Sequence, residues 1–406
     1  MSWSKRFGPG LLVTAAFIGP GTITTATIAG AGFGLALLWV LLFSVAATIV
    51  LQEMSARLGL VSRRGLGEAL RTSFANPLVR TLVIVLVVGA IAFGNAAFQT
   101  GNIIGAAMGL EVLSGISRPI WALIVGAAAF VLLWTGTYRI IERLLIALVA
   151  VMSVVFVLTA VMARPDPTEI VKGMFMPGIP AGSLTTIIAL IGTTVVPYNL
   201  FLHASAVREK WPASLPLSQS LRESRVDTVI AVSLGGLITL AIVVTAAAFF
   251  QQGTTVENAA MMAEQLEPLL GPVAKYFFAA GLFAAGLTSA ITAPLAAAYA
   301  SAGALGFEPT LRSWKFRIVW VVVVVAGTVF AAIGESPVAA IIFAQAANGL
   351  ILPVIAVFLL VVVNRRKLLG QYTNGLPANV LGVAVVVIAA ALGVYKLVMV
   401  IARLGG

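Results

Sequence analysis

The side chains that could bind a solute or an ion in this 406-residue chain are neutral, and they stand close to two Pro-containing runs. The runs are residues 19–22, Gly-Pro-Gly-Thr, and residues 196–199, Val-Pro-Tyr-Asn. The hydroxyl and amide groups beside or near these runs belong to Thr22, Thr193, Tyr198, Asn199 and, further along the chain, Gln345. A break in a membrane helix frees backbone carbonyls, which are oxygen ligands. The two runs could therefore bind a cation or a small polar solute.

Proton transfer needs side chains that titrate, and few are available near these runs. His203 is the single histidine and follows Asn199 by one helical turn, on the same helix face. Histidine titrates near neutral pH and could relay protons, although a histidine that packs between helices is an alternative interpretation. Gln99 and Asn102 share one helix face in a third apolar stretch, but neither amide ionises.

The elements that must position these residues are membrane helices. Hydrophobic residues make up 60% of the chain and charged residues 10%, with a mean hydropathy of +1.08. A soluble domain has about 45–50% apolar and about 25% charged residues. A helix needs about 20 apolar residues to cross a bilayer. The sequence predicts eleven such spans, near residues 10–34, 36–56, 81–110, 119–137, 140–162, 183–206, 228–250, 272–304, 316–333, 337–363 and 379–402.

The distribution of charge predicts the orientation. When successive spans alternate in direction, 19 of the 25 Lys and Arg residues fall on one side and 6 on the other. Basic residues favour the cytoplasmic side. The N-terminus is therefore predicted in the cytoplasm and the C-terminus outside, in a cytoplasmic membrane of prokaryotic type. All 14 Asp and Glu residues fall at span ends or in loops, so no carboxylate is predicted at the midplane.

The two Pro-containing runs recur five spans apart, in the first span and the sixth. Paired breaks of this kind are typical of transporters built from inverted repeats. Two ordinary proline kinks are the alternative. We predict an all-α polytopic membrane protein with a single transporter domain over residues 1–406. Repeat one covers about 8–163, repeat two about 183–363, and an extra helix about 379–402.

Several function classes are disfavoured. With no Cys and one His, zinc fingers and iron–sulfur clusters are excluded, and no cofactor is predicted. The sequence shows no nucleophile–base set and no nucleotide-binding loop, so an enzyme is not expected. The net charge of +11 is spread over short loops, which disfavours a nucleic-acid partner. The predicted partners are the lipid bilayer and a transported ion or small solute.

The two breaks and three further stretches resemble the Nramp family of divalent-metal transporters, which have the LeuT-type inverted-repeat fold. The further stretches are residues 52–59, 284–292 and 345–353. The resemblance covers roughly residues 8–370. It implies a LeuT-type 5+5 inverted repeat plus an eleventh transmembrane helix, and transport by alternating access.

The resemblance also implies metal-ligand positions, and this sequence departs from several of them. In the family the first helix breaks at Asp-Pro-Gly-Asn and the sixth at Met-Pro-His-Asn. The metal-binding aspartate therefore aligns with Gly19, the asparagine after it with Thr22, and the methionine ligand with Val196. The first histidine of the sixth helix aligns with Tyr198. By this resemblance, the chain would be a divergent member of the Nramp family.

Other family positions are retained or replaced by neutral residues. The sixth-helix asparagine and the tenth-helix glutamine are kept as Asn199 and Gln345, which are the candidate metal ligands. The second histidine of the sixth helix is kept as His203. The family's third-helix acids, which serve proton movement, align with Gln99 and Asn102. Gln99, Asn102 and His203 are therefore the candidates for a proton path.

The expected site is a polar cavity between the two breaks, beside the helix-breaking residues. Its lining is predicted to be Gly19, Thr22, Thr193, Val196, Tyr198, Asn199 and Gln345, and the breaks are predicted at Pro20, Gly21 and Pro197. Without a carboxylate or a thioether, the expected substrate is a hard or hydrated divalent cation such as Mg²⁺, with weak or no proton coupling. A small non-metal solute on the same fold, and a sensor or scaffold that does not transport, are the alternatives.

Overall fold

Over the described residues the molecule is nearly all-helical, and the helices that begin at Pro20 and Pro197 lie at its centre. The computed structural model describes residue 9 and residues 18–136, 139–334 and 336–404. Two 3₁₀ turns, Gly271–Val273 and Gly370–Tyr372, accompany the α-helices. The α-helices are α1 (Pro20–Phe33), α2 (Leu38–Ser62), α3 (Leu66–Ser73), α4 (Pro77–Ser114), α5 (Arg118–Thr135), α6 (Arg139–Met162), α7 (Pro167–Phe175), α8 (Leu184–Thr194), α9 (Pro197–Lys210), α10 (Leu217–Phe249), α11 (Ala259–Glu264), α12 (Glu267–Leu270), α13 (Ala274–Leu305), α14 (Trp314–Ile333), α15 (Pro337–Val363), α16 (Arg366–Leu369) and α17 (Leu376–Leu404).

Ten of the eleven predicted membrane spans are found among the described residues. Among the described residues, ten segments are long and apolar enough to cross a membrane, and they correspond to predicted spans two to eleven. The pair α8 and α9 together forms one of these segments. The second half of the predicted first span is α1, and residues 10–17 of that span lie outside the described residues. The prediction of an all-α polytopic membrane protein is confirmed.

Several helices extend beyond the apolar stretches from which they were predicted. Helix α4 begins at Pro77 and α10 at Leu217, whereas the corresponding spans were predicted from about 81 and 228. The side chain of Asn76 caps α4, because its Oδ1 accepts hydrogen bonds from the N–H groups of Leu78 and Val79 at 2.9 and 3.3 Å. Polar turns continue the hydrogen-bonding of a helix past its apolar part, so hydropathy alone places these ends wrongly.

Burial separates central helices from peripheral ones. In the most apolar window of α8 and α9, 94% of the residues are buried, compared with 22% in that of α17. Helix α13 packs along α4, α15 packs against α8 and α4, and α10 packs against α1 and α2. Exposed apolar side chains such as Leu86, Val154 and Val387 cover the outer helices, where lipid would contact them. The α8–α9 pair and α1, most of whose residues are also buried, are therefore surrounded by protein.

Not every proline inside a span interrupts its helix. Pro294 lies within the continuous helix α13, and Pro353 lies within the continuous helix α15. Membrane helices tolerate proline where neighbouring groups satisfy the freed backbone. These two positions differ from Pro20 and Pro197, each of which begins a helix.

Helix α17 connects opposite ends of the bundle. At its start, the Arg57 guanidinium donates to the Tyr372 carbonyl at 2.5 Å and to Asn374 Oδ1 at 2.6 Å. Near its end, Lys396 Nζ donates to Thr185 Oγ1, at the start of α8, at 2.7 Å. Arg57 and Lys396 thus lie at opposite ends of the molecule, as the alternating spans predict.

The charge distribution gives a testable orientation. Because the chain has no cysteine, single-cysteine variants carry no background thiol. We expect a membrane-impermeant thiol reagent to label Gln252→Cys in whole cells and to label Ser214→Cys only after the cells are permeabilised. Both positions are exposed in connecting segments. Labelling of Ser214→Cys in intact cells would reverse the predicted orientation.

Candidate functional site

The predicted first break corresponds to the non-helical residues immediately before α1. Ile18 and Gly19 are not helical, and Gly19 has an extended backbone with φ of −121° and ψ of −173°. Pro20 is the first residue of α1, a position where its missing N–H is not needed. A Cβ on Gly105 of α4 would overlap the Pro20 ring, so a glycine at this position lets the start of α1 approach α4. Gly21, predicted as part of the break, is the second residue of the helix.

The second break lies between α8 and α9. Helix α8 ends at Thr194, Val195 and Val196 are not helical, and Pro197 begins α9. The Val195 N–H donates to the Ile191 carbonyl at 2.8 Å. The Thr48 hydroxyl of α2 donates to the Ser44 carbonyl of its own helix at 2.7 Å and also lies 3.3 Å from the Thr194 carbonyl, so the two carbonyls share its hydrogen. Backbone groups freed by the break are therefore partly satisfied from the helix itself and from α2.

The two breaks are joined by a buried hydrogen bond. Thr22 Oγ1 of α1 and Thr193 Oγ1 of α8 are 2.8 Å apart, and either hydroxyl can be the donor. Thr22 is 1% exposed and Thr193 is fully buried. The structure therefore brings these two predicted site residues together.

Side chains from α15, α4 and α13 close around the start of α1. A Cβ on Gly21 would overlap Gln345 Nε2 of α15, so this amide packs directly against α1. A Cβ on Gly19 would lie 2.9 Å from Ser289 Oγ of α13 and 3.9 Å from Asn102 Oδ1 of α4. Gln345 and Gly19 were predicted at the site, whereas Asn102 was predicted for a proton path. Ser289 was not predicted at all.

The remaining predicted site residues lie in different surroundings. Val196 and Tyr198 belong to a small apolar cluster with Ile18 and Phe98, whose ring stands edge-on to that of Tyr198 at 5.6 Å between centroids. Asn199 is fully buried in the first turn of α9. The second break is therefore bordered by the apolar side chains of this cluster, and the Asn199 amide lies in the helical turn that follows it.

The three candidates for a proton path contact different helices. Gln99 Nε2 donates to the Ala290 carbonyl of α13 at 3.0 Å. Asn102 faces Gly19, as described above. His203 Nδ1 lies 2.8 Å from Gln52 Oε1 of α2, so a proton on Nδ1 would be donated to Gln52. The hydrogen bonds found for Gln99 and His203 lead to separate neighbours rather than along one chain.

The site is electrically neutral in its side chains. Thr22, Thr193, Asn102, Ser289 and Gln345 supply hydroxyl and amide groups, and all are buried. Within the described ranges, no three His, Asp or Glu side chains come together as a metal-ligand group. The arrangement can hydrogen-bond a solute or hydrating water molecules, and it supplies no counter-charge to a bare ion.

Comparison with solved structures identifies the fold of the chain. A crystal structure of the manganese transporter of Eremococcus coleocola superposes with a TM-score of 0.78 at 23% identity, covering 97% of this chain and 86% of that one. MhsT in complex with L-phenylalanine has a TM-score of 0.63 at 16% identity and covers 98% of both chains. At such identities the likeness shows the fold. The chain therefore has the LeuT-type fold of these membrane transporters.

Sequence comparison then gives the family. The model of the family described as natural resistance-associated macrophage protein-like, Nramp, matches residues 10–399. The divalent metal cation transporter MntH of Deinococcus radiodurans is 32% identical over 399 residues, covering 96% of this chain and 88% of the relative. The corresponding MntH of Bradyrhizobium diazoefficiens is 34% identical over 388 residues, covering 91% and 84%. The chain belongs to the Nramp family.

The hydrogen bond between the breaks gives a stability prediction. Thr22→Val and Thr193→Val keep the side-chain shape and remove the bond, so a double-mutant cycle should yield a coupling free energy of about 1 kcal/mol. The measurement is the free energy of unfolding in mixed micelles. Thr22→Val combined with Thr159→Val is the matched control, because the Thr159 hydroxyl donates within its own helix to the Val155 carbonyl. A coupling no larger than in the control would show that the bond does not join the breaks in solution.

Proposed function

We propose that this chain carries a divalent cation across the membrane by alternating access and binds it between the two helix breaks. Membership of the Nramp family supports a divalent cation, since the Deinococcus and Bradyrhizobium relatives are divalent metal cation transporters by name. Burial supports alternating access: Thr22, Thr193 and Gln345 are at most 1% exposed. A solute reaches such a site only when the surrounding helices move.

The observation that carries the finer proposal is the neutrality of the site. Transferring a bare dication from water to neutral ligands is costly, because a buried charge needs a counter-charge. Mg²⁺ loses its water reluctantly and often binds with several waters retained. Hydroxyl and amide oxygens from Thr22, Asn102 and Gln345 could accept hydrogen bonds from those waters. We therefore propose a hard, hydrated cation such as Mg²⁺ rather than a transition metal.

Ion uptake tests the preference. In proteoliposomes we expect Mg²⁺ uptake to exceed Mn²⁺ uptake at equal concentration, with an apparent Mn²⁺ affinity no tighter than roughly millimolar, as is typical of weak all-oxygen sites. Liposomes without protein give the background, and an ionophore gives the full capacity. Micromolar Mn²⁺ affinity would mean that other ligands replace the missing carboxylate and thioether.

A carboxylate added at the site should change this preference. Gln345→Glu conserves shape and places a negative charge beside Gly21, so Mn²⁺ affinity should rise about tenfold or more, equivalent to about 1.4 kcal/mol. Gln265→Glu is the matched control, because Gln265 is also fully buried but donates to Thr27 Oγ1, further along α1. Calorimetric titration with Mn²⁺ measures the difference. Equal effects of the two variants would place the ion elsewhere.

We also propose weak or absent proton coupling. Gln99 and Asn102 cannot carry a proton as carboxylates do, and His203 contacts Gln52 on a different helix. A Mg²⁺ gradient should therefore leave the luminal pH of the liposomes unchanged. His203→Gln, which retains an amide able to donate to Gln52, should keep Mg²⁺ uptake. Acidification that depends on Mg²⁺ and disappears in His203→Gln would instead make His203 a proton relay; a protonophore is the control.

A small non-metal solute is the second candidate. The amide groups Asn102 Nδ2 and Gln345 Nε2 are buried and have no hydrogen-bond partner in the part of the chain that the structure describes. Together with the positive end of the α1 dipole, they could bind acceptor oxygens of a solute. Competition of neutral and anionic solutes against Mg²⁺ in the same liposomes separates the two functions. Uptake of none of these would favour a sensor or scaffold.

A further inference from the structure

Two side chains on the surrounding helices converge on the first break. Ser289 Oγ of α13 would lie 2.9 Å from a Cβ on Gly19, and Asn102 Oδ1 of α4 would lie 3.9 Å from it. They therefore stand where a side chain at position 19 would project. Because Gly19 has no side chain, the side chains of Ser289 and Asn102 border this space.

Their polar atoms are buried without partners. Ser289 is 2% exposed and Asn102 is fully buried. Among the described residues, the Ser289 hydroxyl and both amide atoms of Asn102 have no hydrogen-bond partner. Buried polar groups are nearly always hydrogen-bonded in native proteins, so three unpartnered atoms at one place indicate a ligand or water.

The hydroxyl of Ser289 differs from that of its neighbour. Serine and threonine in helices commonly donate to the carbonyl four residues earlier. Thr288 does so, with its Oγ1 2.8 Å from the Ala284 carbonyl, and Thr292 donates to the Thr288 carbonyl at 2.9 Å. Ser289 lies on the same helix and makes no such bond. Its hydroxyl is therefore directed toward the break rather than satisfied by its own helix.

We infer that Ser289 and Asn102 form the wall of the transport site opposite Gly19 and contact the transported species. This inference rests on the proposed function: for a hydrated dication, the Ser289 hydroxyl and the Asn102 amide accept hydrogen bonds from the ion's water molecules. Asn102 then acts as a specificity-determining residue of the binding site and not as part of a proton path. The neutral wall excludes a direct charge–charge contact with the ion.

Single-cysteine labelling tests this inference without knowledge of the substrate. Ser289→Cys replaces one small side chain by another, and Ala284→Cys is the control on the same helix, because Ala284 is fully buried in the apolar core. We expect 2-aminoethyl methanethiosulfonate to modify Ser289→Cys roughly tenfold faster than Ala284→Cys, because thiol reactivity follows access to water. Equal rates, or no modification of Ser289→Cys in protein that remains folded by size-exclusion chromatography, would overturn the inference.

Protection by Mg²⁺ tests the contact itself. At a Mg²⁺ concentration about twice the dissociation constant, modification of Ser289→Cys should slow about threefold, because the bound ion occupies the site. Fast modification without protection by Mg²⁺, in a protein that does take up Mg²⁺, would overturn the contact. If the unsubstituted chain takes up no Mg²⁺ or Mn²⁺ while Ser289→Cys is modified rapidly, the proposed function is wrong. The inference that Ser289 lines a water-accessible site is then retained.

A second variant covers the case in which the thiol disturbs folding. Ser289→Ala removes an unpartnered buried hydroxyl, so the melting temperature of the ion-free protein should stay equal or rise. The increase in melting temperature on adding Mg²⁺ should become smaller than in the unsubstituted protein. A lower ion-free melting temperature with an unchanged Mg²⁺ response would assign Ser289 a structural role only.

Discussion

The constraint on which this structure depends is that backbone polar groups inside a bilayer must be satisfied by the protein. Satisfying these groups is most difficult at the two helix breaks, where the regular helical hydrogen bonds are lost. Proline at the start of α1 and of α9 removes a donor that would otherwise need a partner. The Gly19 carbonyl accepts from the Ile23 N–H at 3.1 Å, and Thr48 supplies a hydroxyl to the second break. The surrounding helices also bury these residues, including Ile18, Val195 and Val196.

Charged side chains such as Arg57 and Lys396 lie at the ends of the bundle rather than around the two breaks. Arg57 binds Tyr372 and Asn374 while pairing with Glu53 at 3.1 Å, which ties α2 to the segment before α17. Lys396 anchors the other end of α17 on Thr185. Between these ends, the polar groups of the side chains around the two breaks are hydroxyls and amides. Such a site gives a cation little electrostatic attraction, and this favours an ion that arrives with its own first shell of water.

Close helix approach is what turns separate polar residues into one site. Gly192 of α8 packs so tightly on α15 that a Cβ would overlap the Gln345 carbonyl, and Gly105 admits Pro20 in the same way. These contacts set the distance between the interrupted helices and the surrounding ones. As a result, residues distant in sequence, such as Asn102, Ser289 and Gln345, surround the start of α1. A bulky residue at Gly105 or Gly192 would separate the same groups.

The sequence by itself determined the membrane helices, because about 20 apolar residues in a row have few other stable solutions. It also marked the starts of α1 and α9, since Pro20 and Pro197 recur in corresponding spans, and it indicated a neutral midplane. Only the tertiary structure decided which polar groups meet. Ser289 and Thr288 are neighbours on one apolar helix. The Thr288 hydroxyl donates to a carbonyl of that helix, whereas the Ser289 hydroxyl lies beside Gly19. Val196 and Tyr198 follow the same break as Asn199 but pack with Phe98. Periodicity places a residue on a helix, whereas its partners depend on the packing of helices that are far apart in the chain.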